Sequence, residues 1–250
     1  MTRRWATAHR LAARALLVVV VATLATACTR HWRIAHPQKQ DLPLHQSLWA
    51  MDGDKGAKLT QKHKRGADAA ALRRVFQSQI YLTYCGVASA VMALRALNIS
   101  EVSQQSFFTD AAETVRSQDK VFYGGMTLDE LGGLLRAHGA QTLVVHAGDT
   151  TEHSFRERLQ RDLERAGDVV LVNYLRKSIH QRTGGHISPV AAYDAETDRA
   201  LVMDVSTYKY PPVWVRLPDL FRAMNTVDSS ANKTRGWVHV MRAPTQEATP

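Results

Sequence analysis

From about Ala69 onward, apolar positions fall into repeats that predict a mixed domain. Between Cys85 and Leu97, Val87, Val91 and Leu94 form one stripe with Ala88, Met92 and Ala96 beside it, which predicts a helix apolar most of the way round and therefore buried. Thr127-x-x-Glu130 is a capping box ahead of Leu128, Leu131, Leu134 and Leu135, and Gly139 marks that helix's end. Thr142 to His146 predicts a strand, and Phe155, Leu159 and Leu163 predict an amphipathic helix that stops at Gly167. Val169 to Tyr174, Ile187 to Tyr193 and Ala200 to Val205 are apolar, β-branched runs separated by the turn-rich Arg182-Thr183-Gly184-Gly185 and Asp194 to Asp198. Val213 to Val215 and Trp237 to Met241 are shorter strand candidates, with a short helix over Pro218 to Met224 between them. Helices come first and strands cluster later, the order of an α+β fold with a helical layer on an antiparallel sheet.

The start of the chain follows another pattern. Arg3, Arg4, Arg10 and Arg14 stand without an acid, and the thirteen residues from Ala15 to Ala27 carry no charge. A spanning helix needs about 20 apolar residues, so residues 1–27 read as a secretory signal. Leu24-Ala25-Thr26-Ala27-Cys28 has two readings: a small-residue cleavage site at Ala25-x-Ala27, or a sequence resembling a lipobox, with Cys28 lipidated and Ala25 where an aliphatic residue is usual. Both imply export to the periplasmic side, and the second adds a membrane lipid anchor. Residues 28–41 are expected as a tether, 42–242 as one domain and 243–250 as a tail. Lys58, Lys62, Lys64 and Arg65 read as a solvated face rather than a lipid contact.

Composition adds exclusions. A chain of 250 residues that is 45% hydrophobic and 22% charged is neither disordered nor collagen-like. Two cysteines build no disulfide scaffold and no four-cysteine zinc site. Loss of the four arginines would lower the formal charge from +9 to +5, too modest to point to nucleic acid. In an oxidising compartment, a lipidated Cys28 would leave Cys85 without a partner.

Three segments carry candidate chemistry. Cys85 opens the apolar helix, where free N–H groups and the helix dipole favour a thiolate. Gln79, six residues earlier, can fold back to present its amide beside the sulfur, forming an oxyanion hole with the Cys85 N–H. A small core residue among alanines is the competing reading of Cys85. Gly184-Gly185-His186-Ile187-Ser188-Pro189 opens a strand with an accessible histidine, a base for Cys85 or a surface residue. Asp204, eighteen residues later, can orient His186 if the two strands are neighbours, or is a turn residue. Tyr208, Tyr210 and Trp214 either line a cleft or pack a sheet edge. Arg176, Lys177 and Arg235 either bind substrate carboxylates or are solvated.

Together, Ser78-Gln79, Tyr84-Cys85-Gly86-Val87-Ala88-Ser89, Gln181-x-Thr183-Gly184-Gly185-His186-x-Ser188-Pro189, Asp204-Val205 and Tyr208-Lys209-Tyr210-Pro211-Pro212-x-Trp214-Val215 resemble the catalytic domain of phytochelatin synthase over about residues 42–242. The closing Asn232-Lys233-Thr234-Arg235-Gly236-Trp237 is similar to that domain's last strand. The resemblance implies a papain-like fold and a glutathione gamma-glutamylcysteinyltransferase. By position, Cys85 would be the nucleophile, His186 the general base and acid, Asp204 the orienting carboxylate and Gln79 the oxyanion donor. It implies no intrinsic cofactor, because a heavy-metal ion such as cadmium or zinc enters bound to glutathione as substrate. Thr207 stands where plant members carry arginine, and several of their mid-domain cysteines are missing, which favours hydrolysis of glutathione over phytochelatin synthesis. Two other functions remain open: an exported papain-like peptidase or amidase acting on another γ-linked or cell-wall peptide, and a non-catalytic lipoprotein binding metal or thiols. For the latter, His31, His36, His45 and His63 show no regular ligand spacing.

Overall fold

The structure, a computed structural model, describes residues 22–23, 25–163, 167–182 and 184–243. Most of the expected export signal and tail, and Thr183, lie outside the described residues. A helix over 25–35, α1, leads into β1 (Trp49–Ala50), α2 (Asp54–His63), α3 (Ala67–Arg74), α4 (Cys85–Ala96), α5 (Asp110–Val115), α6 (Gln118–Gly124), α7 (Leu128–Ala137) and β2 (Ala140–His146). There follow α8 (Glu152–Leu163), β3 (Asp168–Leu175), β4 (Gly185–Asp194), β5 (Arg199–Val202), β6 (Val213–Arg216), α9 (Leu217–Met224), β7 (Val227–Asp228), β8 (Lys233–Thr234) and β9 (Gly236–Arg242).

Seven strands form one antiparallel sheet in the order β1-β6-β5-β4-β3-β9-β2. Its central strands are apolar on both sides, and the period-2 alternation sorts their residues. Val169 and Leu171 of β3, Ile187 of β4, Leu201 of β5, Trp214 of β6 and Val238 of β9 meet Val87, Val91 and Leu94 of α4 and the leucines of α7 on one face. Val170, Val172, Val190, Val202, Val213 and Trp237 meet Phe155 and Leu159 of α8 and Leu217 and Leu220 of α9 on the other. Helices thus cover both faces, so the single helical layer expected from element order becomes two. The fold is α+β, as anticipated.

The Thr127 hydroxyl accepts from the Glu130 N–H while the Glu130 carboxylate accepts from the Thr127 N–H, completing the capping box of α7. Gly139, at φ +87, follows that helix where a side chain would be strained. The N-terminal region is more ordered than a tether over 28–41 implies. The stretch expected as a tether carries α1, whose Ile34 is buried in the core, and Gln40 N–H donates to the Tyr208 carbonyl. In α2 only Gly56 and Leu59 are buried, and a Cβ on Gly56 would lie 1.9 Å from the Ala50 carbonyl oxygen, so its contact with β1 leaves no apolar stripe to read.

Candidate active site

Cys85 is the first residue of α4, half-buried at its open N-terminal turn. Ala88 N–H donates to the Tyr84 carbonyl, so the amides of residues 85–87 belong to the turn that has no partners within the helix. Gly86 lets Met126 pack close against this turn, since a Cβ would lie 2.5 Å from its sulfur and push that side chain aside. One turn further, the Ser89 hydroxyl donates to the Ile187 carbonyl at 3.0 Å, locking α4 against β4 beside His186.

His186 and Asp204 meet because the β4–β5 hairpin brings their strands together. β5 ends at Val202 rather than continuing to Val205, yet Met203 N–H still donates to the Pro189 carbonyl, so Asp204 runs on beside β4. His186 Nε2 lies 2.9 Å from Asp204 Oδ1. The ring N–H is not aligned on that oxygen, so distance and charge hold the pair in the free protein. Orienting Nε2 toward Asp204 leaves Nδ1 for the sulfur. Tyr174 lies edge-on to the imidazole, with ring centres 5.7 Å apart.

Arg176 completes the group. It is buried, and its guanidinium forks onto both Asp204 oxygens at 2.8 and 2.9 Å while also donating to Gln181 Oε1. Ser206 N–H donates to Asp204 Oδ1 at 2.8 Å. Burial alone would raise the Asp204 carboxyl, but Arg176 and His186 hold it well below the usual carboxylate range. For Cys85, burial pushes the thiol up, whereas hydrogen bonding and charge from His186, an Ile187 backbone bond and Arg176 bring it below its ordinary value. The arrangement lowers a thiol toward its thiolate form and sets a histidine beside it, the geometry that nucleophilic catalysis by cysteine requires.

Gln79 is placed differently from expectation. Its Nε2 donates to the Tyr81 and Leu82 carbonyls, both at 2.8 Å, and contacts the Tyr208 hydroxyl at 3.1 Å. Its Oε1 accepts from the Ser206 hydroxyl. Gln79 therefore braces the turn that delivers Cys85 and is not among the residues lining the cavity.

That cavity, of about 310 Å³, is lined by Cys85, His186, Arg176, Lys209, Asp228 and Arg235 among others. Arg235 Nη2 lies 3.9 Å from Asp228 Oδ1. Burial, then the nearby Arg176, pulls the Lys209 ammonium below its ordinary value. Thr207 is exposed, bonded to Ser78, and lies outside this cavity. Trp214 is a core residue bonded to Thr60. Tyr210 accepts from Arg182 N–H and stacks under Arg176, while Lys177 is exposed. Buried Arg176 and Ser206, with Lys209 and Asp228, are the site residues sequence reasoning missed or left open. Only the apolar run before Arg176 hinted at its burial.

His31, His36, His45 and His63 have separate partners in Tyr123, Trp32, Ser47 and Asp194. Among the described residues, Asp162, Asp168 and His239 bring possible metal-ligating atoms within 4.8 Å of one another. Arg158 Nη2 donates to His239 Nδ1 and its Nε–H is shared between the two Asp162 oxygens, and His239 Nε2 lies 2.7 Å from Asp168. With Nδ1 accepting, Nε2 carries the proton and is not free to ligate a cation.

Residues 39–237 match the family model described as Phytochelatin synthase. Glutathione gamma-glutamylcysteinyltransferase 3 of Lotus japonicus is 32% identical over 172 residues, 67% of this chain and 36% of that protein. Glutathione gamma-glutamylcysteinyltransferase 1 of Triticum aestivum is 34% identical over 67% of this chain and 34% of that protein. The Schizosaccharomyces pombe glutathione gamma-glutamylcysteinyltransferase is 25% identical over 62% of this chain and 39% of that protein. The chain thus covers between 34% and 39% of these relatives' own lengths.

Proposed function

The chain belongs to the phytochelatin synthase family, and from that membership we propose that it is a papain-like cysteine acyltransferase and hydrolase acting on glutathione. The observation that carries this reading is Cys85, lowered toward thiolate, opposite a histidine backed by Asp204 in a charged cavity. At about 310 Å³ the cavity is at the small end of ligand pockets, about 300–1,000 Å³. Asp228 and Arg235 offer opposite charges to the ammonium and carboxylate of a glutamyl group, and Lys209 offers a cation to the glycine carboxylate.

The thiolate attacks the carbonyl carbon of the Cys-Gly bond, and the oxygen takes the negative charge beside the Cys85 N–H. His186, protonated at Nδ1, gives its proton to the departing glycine nitrogen as the C–N bond breaks. A γ-glutamylcysteinyl thioester remains on Cys85. Water, or the amine of a second glutathione, then loses a proton to His186, attacks the thioester and regenerates the thiolate. Gln79 contributes as a second oxyanion donor only by releasing one of its carbonyl partners.

Thr207 lies outside the cavity and adds no charge for a second substrate, so hydrolysis outweighs phytochelatin synthesis. Cadmium or zinc enters as the glutathione thiolate complex. Cys28, exposed on α1, is the lipid attachment site of an exported, membrane-anchored protein. Incubation with glutathione, with and without cadmium, tests the reading by mass spectrometry. The expected results are a γ-glutamylcysteinyl adduct on Cys85 and γ-glutamylcysteine as main product. Absence of the adduct would support a different γ-linked or cell-wall peptide substrate, and predominance of longer oligomers would overturn the hydrolase emphasis.

A further inference from the structure

We propose that the exposed side of α1, together with Leu82 and Tyr123, rests on an anionic phospholipid surface, so that one rim of the catalytic cavity opens at headgroup level. This rests on the proposed anchoring at Cys28 for delivery to the membrane, but the contact itself is carried by other residues.

Helix α1 contains Arg30, His31, Trp32 and Arg33 and no acid. Its inner side is fixed to the domain. Ile34 is in the core, its carbonyl accepts from Leu82 N–H at 3.0 Å, and Arg30 donates to the Tyr123 carbonyl at 3.0 Å. The His31 ring bonds the Tyr123 hydroxyl. Trp32 stands outside this seam at 55% exposure, and the seam's own Tyr123 and Leu82 remain 43% and 37% exposed. Between α1 and the turn before Cys85 lies a groove of about 500 Å³, lined by Arg30, Arg33, Ile34, Leu82, Thr83 and Tyr123 among others.

A tyrosine ring and two arginines around an apolar floor, with Trp32 exposed on the same helix, match the headgroup zone of a bilayer, where Trp and Tyr concentrate and guanidinium groups pair with phosphates. Cys28 and Trp32 are four residues apart and share one side of α1, whereas Thr26, Arg30 and Arg33, which line the groove, share another. A lipid on Cys28 therefore leaves from the side that Trp32 presents. Leu82 and Thr83 line both this groove and the catalytic cavity, which ties the contact to the site.

The chain is expressed with its own N-terminus, purified from membranes and reconstituted in vesicles of phosphatidylcholine alone or with phosphatidylglycerol, and hydrogen exchange is followed by mass spectrometry. Peptides covering 78–84 and 118–124 are expected to exchange more slowly on the anionic vesicles, while 227–234 is unchanged. The same samples report the lipid mass on Cys28, so failure of anchoring is seen separately. Arg30→Gln with Arg33→Gln in the anchored protein is expected to remove the difference. In the unlipidated Cys28→Ser chain, each arginine lost should weaken partitioning to anionic vesicles about fivefold. Equal exchange of the two peptides on both vesicle types overturns the proposal, whatever the state of Cys28.

Discussion

Two histidines lie on the two strands that flank β3, and each joins a carboxylate and an arginine. His186 on β4 pairs opposite Tyr174, and His239 on β9 pairs opposite Val170. Both are buried, and both present Nε2 to an aspartate within 3 Å. They differ in what the arginine holds. Arg176 forks onto the carboxylate, leaving His186 Nδ1 for Cys85. Arg158 occupies His239 Nδ1 itself. The same three residue types thus turn a ring nitrogen toward a thiol in one place and tie it into an ion-pair network in the other. A cavity and a thiol facing the ring nitrogen make the difference.

The sharpest way to break the comparison is Cys85→Ala. On the proposed reaction, loss of the Cys85 thiol is expected to lower turnover of glutathione by about 10⁵-fold or more, with Tm nearly unchanged because the side chain is small. Activity retained within tenfold would show that the His186 group is, like the His239 group, structural.

Arg176→Gln comes next. It removes the fork from a fully buried carboxylate, and breaking such a pair costs about 3–5 kcal/mol of stability. A merely structural role would stop there. A positioning role also removes one of the charges that lower the Cys85 thiol, so the acid limb of the kcat/KM profile should move to higher pH. An acid limb that stays in place in folded Arg176→Gln protein would refute the positioning role.

The smaller counterpart is His239→Gln. It leaves Asp168 and Arg158 without the ring between them, and unpaired buried polar groups cost about 1–3 kcal/mol each. Stability should fall by about that much while kcat/KM stays within twofold. A large loss of activity with Tm preserved would tie this network to catalysis.

The two groups were unequally legible in the sequence. Cys85, His186 and Asp204 could be read because each stands at the end of a patterned element. A helix start, a Gly-Gly turn and the end of an apolar run are local signals. Arg176 could not, since its burial follows from the chain returning through Gln181 to β4, a contact that no residue type announces. Gln79 was read for its chemistry, yet its amide is spent on two carbonyls of its own turn. Asp162, Asp168 and His239 come from α8, β3 and β9, and no spacing along the chain links them. The strands were readable because both of their faces are apolar. Helices α2 and α3 were not, because only Gly56 and Leu59 are buried in one and Asp68, Ala69 and Leu72 in the other.

The smallest effect comes from Asp68, whose place near the second network exposes its excess of acid. Burial, then the charges of Asp168 and Asp162, pushes this carboxyl up to about 8, and its buried Oδ2 has no hydrogen-bond partner. The unfolded chain releases that proton near the ordinary value of 3.8, so folding takes up a proton between those values. The associated stability is full below the lower value and is lost as pH rises toward 8. Asp68→Asn keeps the shape without the charge, and should raise stability by about 1 kcal/mol at alkaline pH, well under the ceiling of roughly 1.4 kcal/mol per pK unit. Thermal unfolding from acid to alkaline pH should show the wild type losing Tm faster than the variant. Parallel curves would mean that Asp68 is ionised in the folded protein, with Arg158 and His239 enough to balance three carboxylates rather than two.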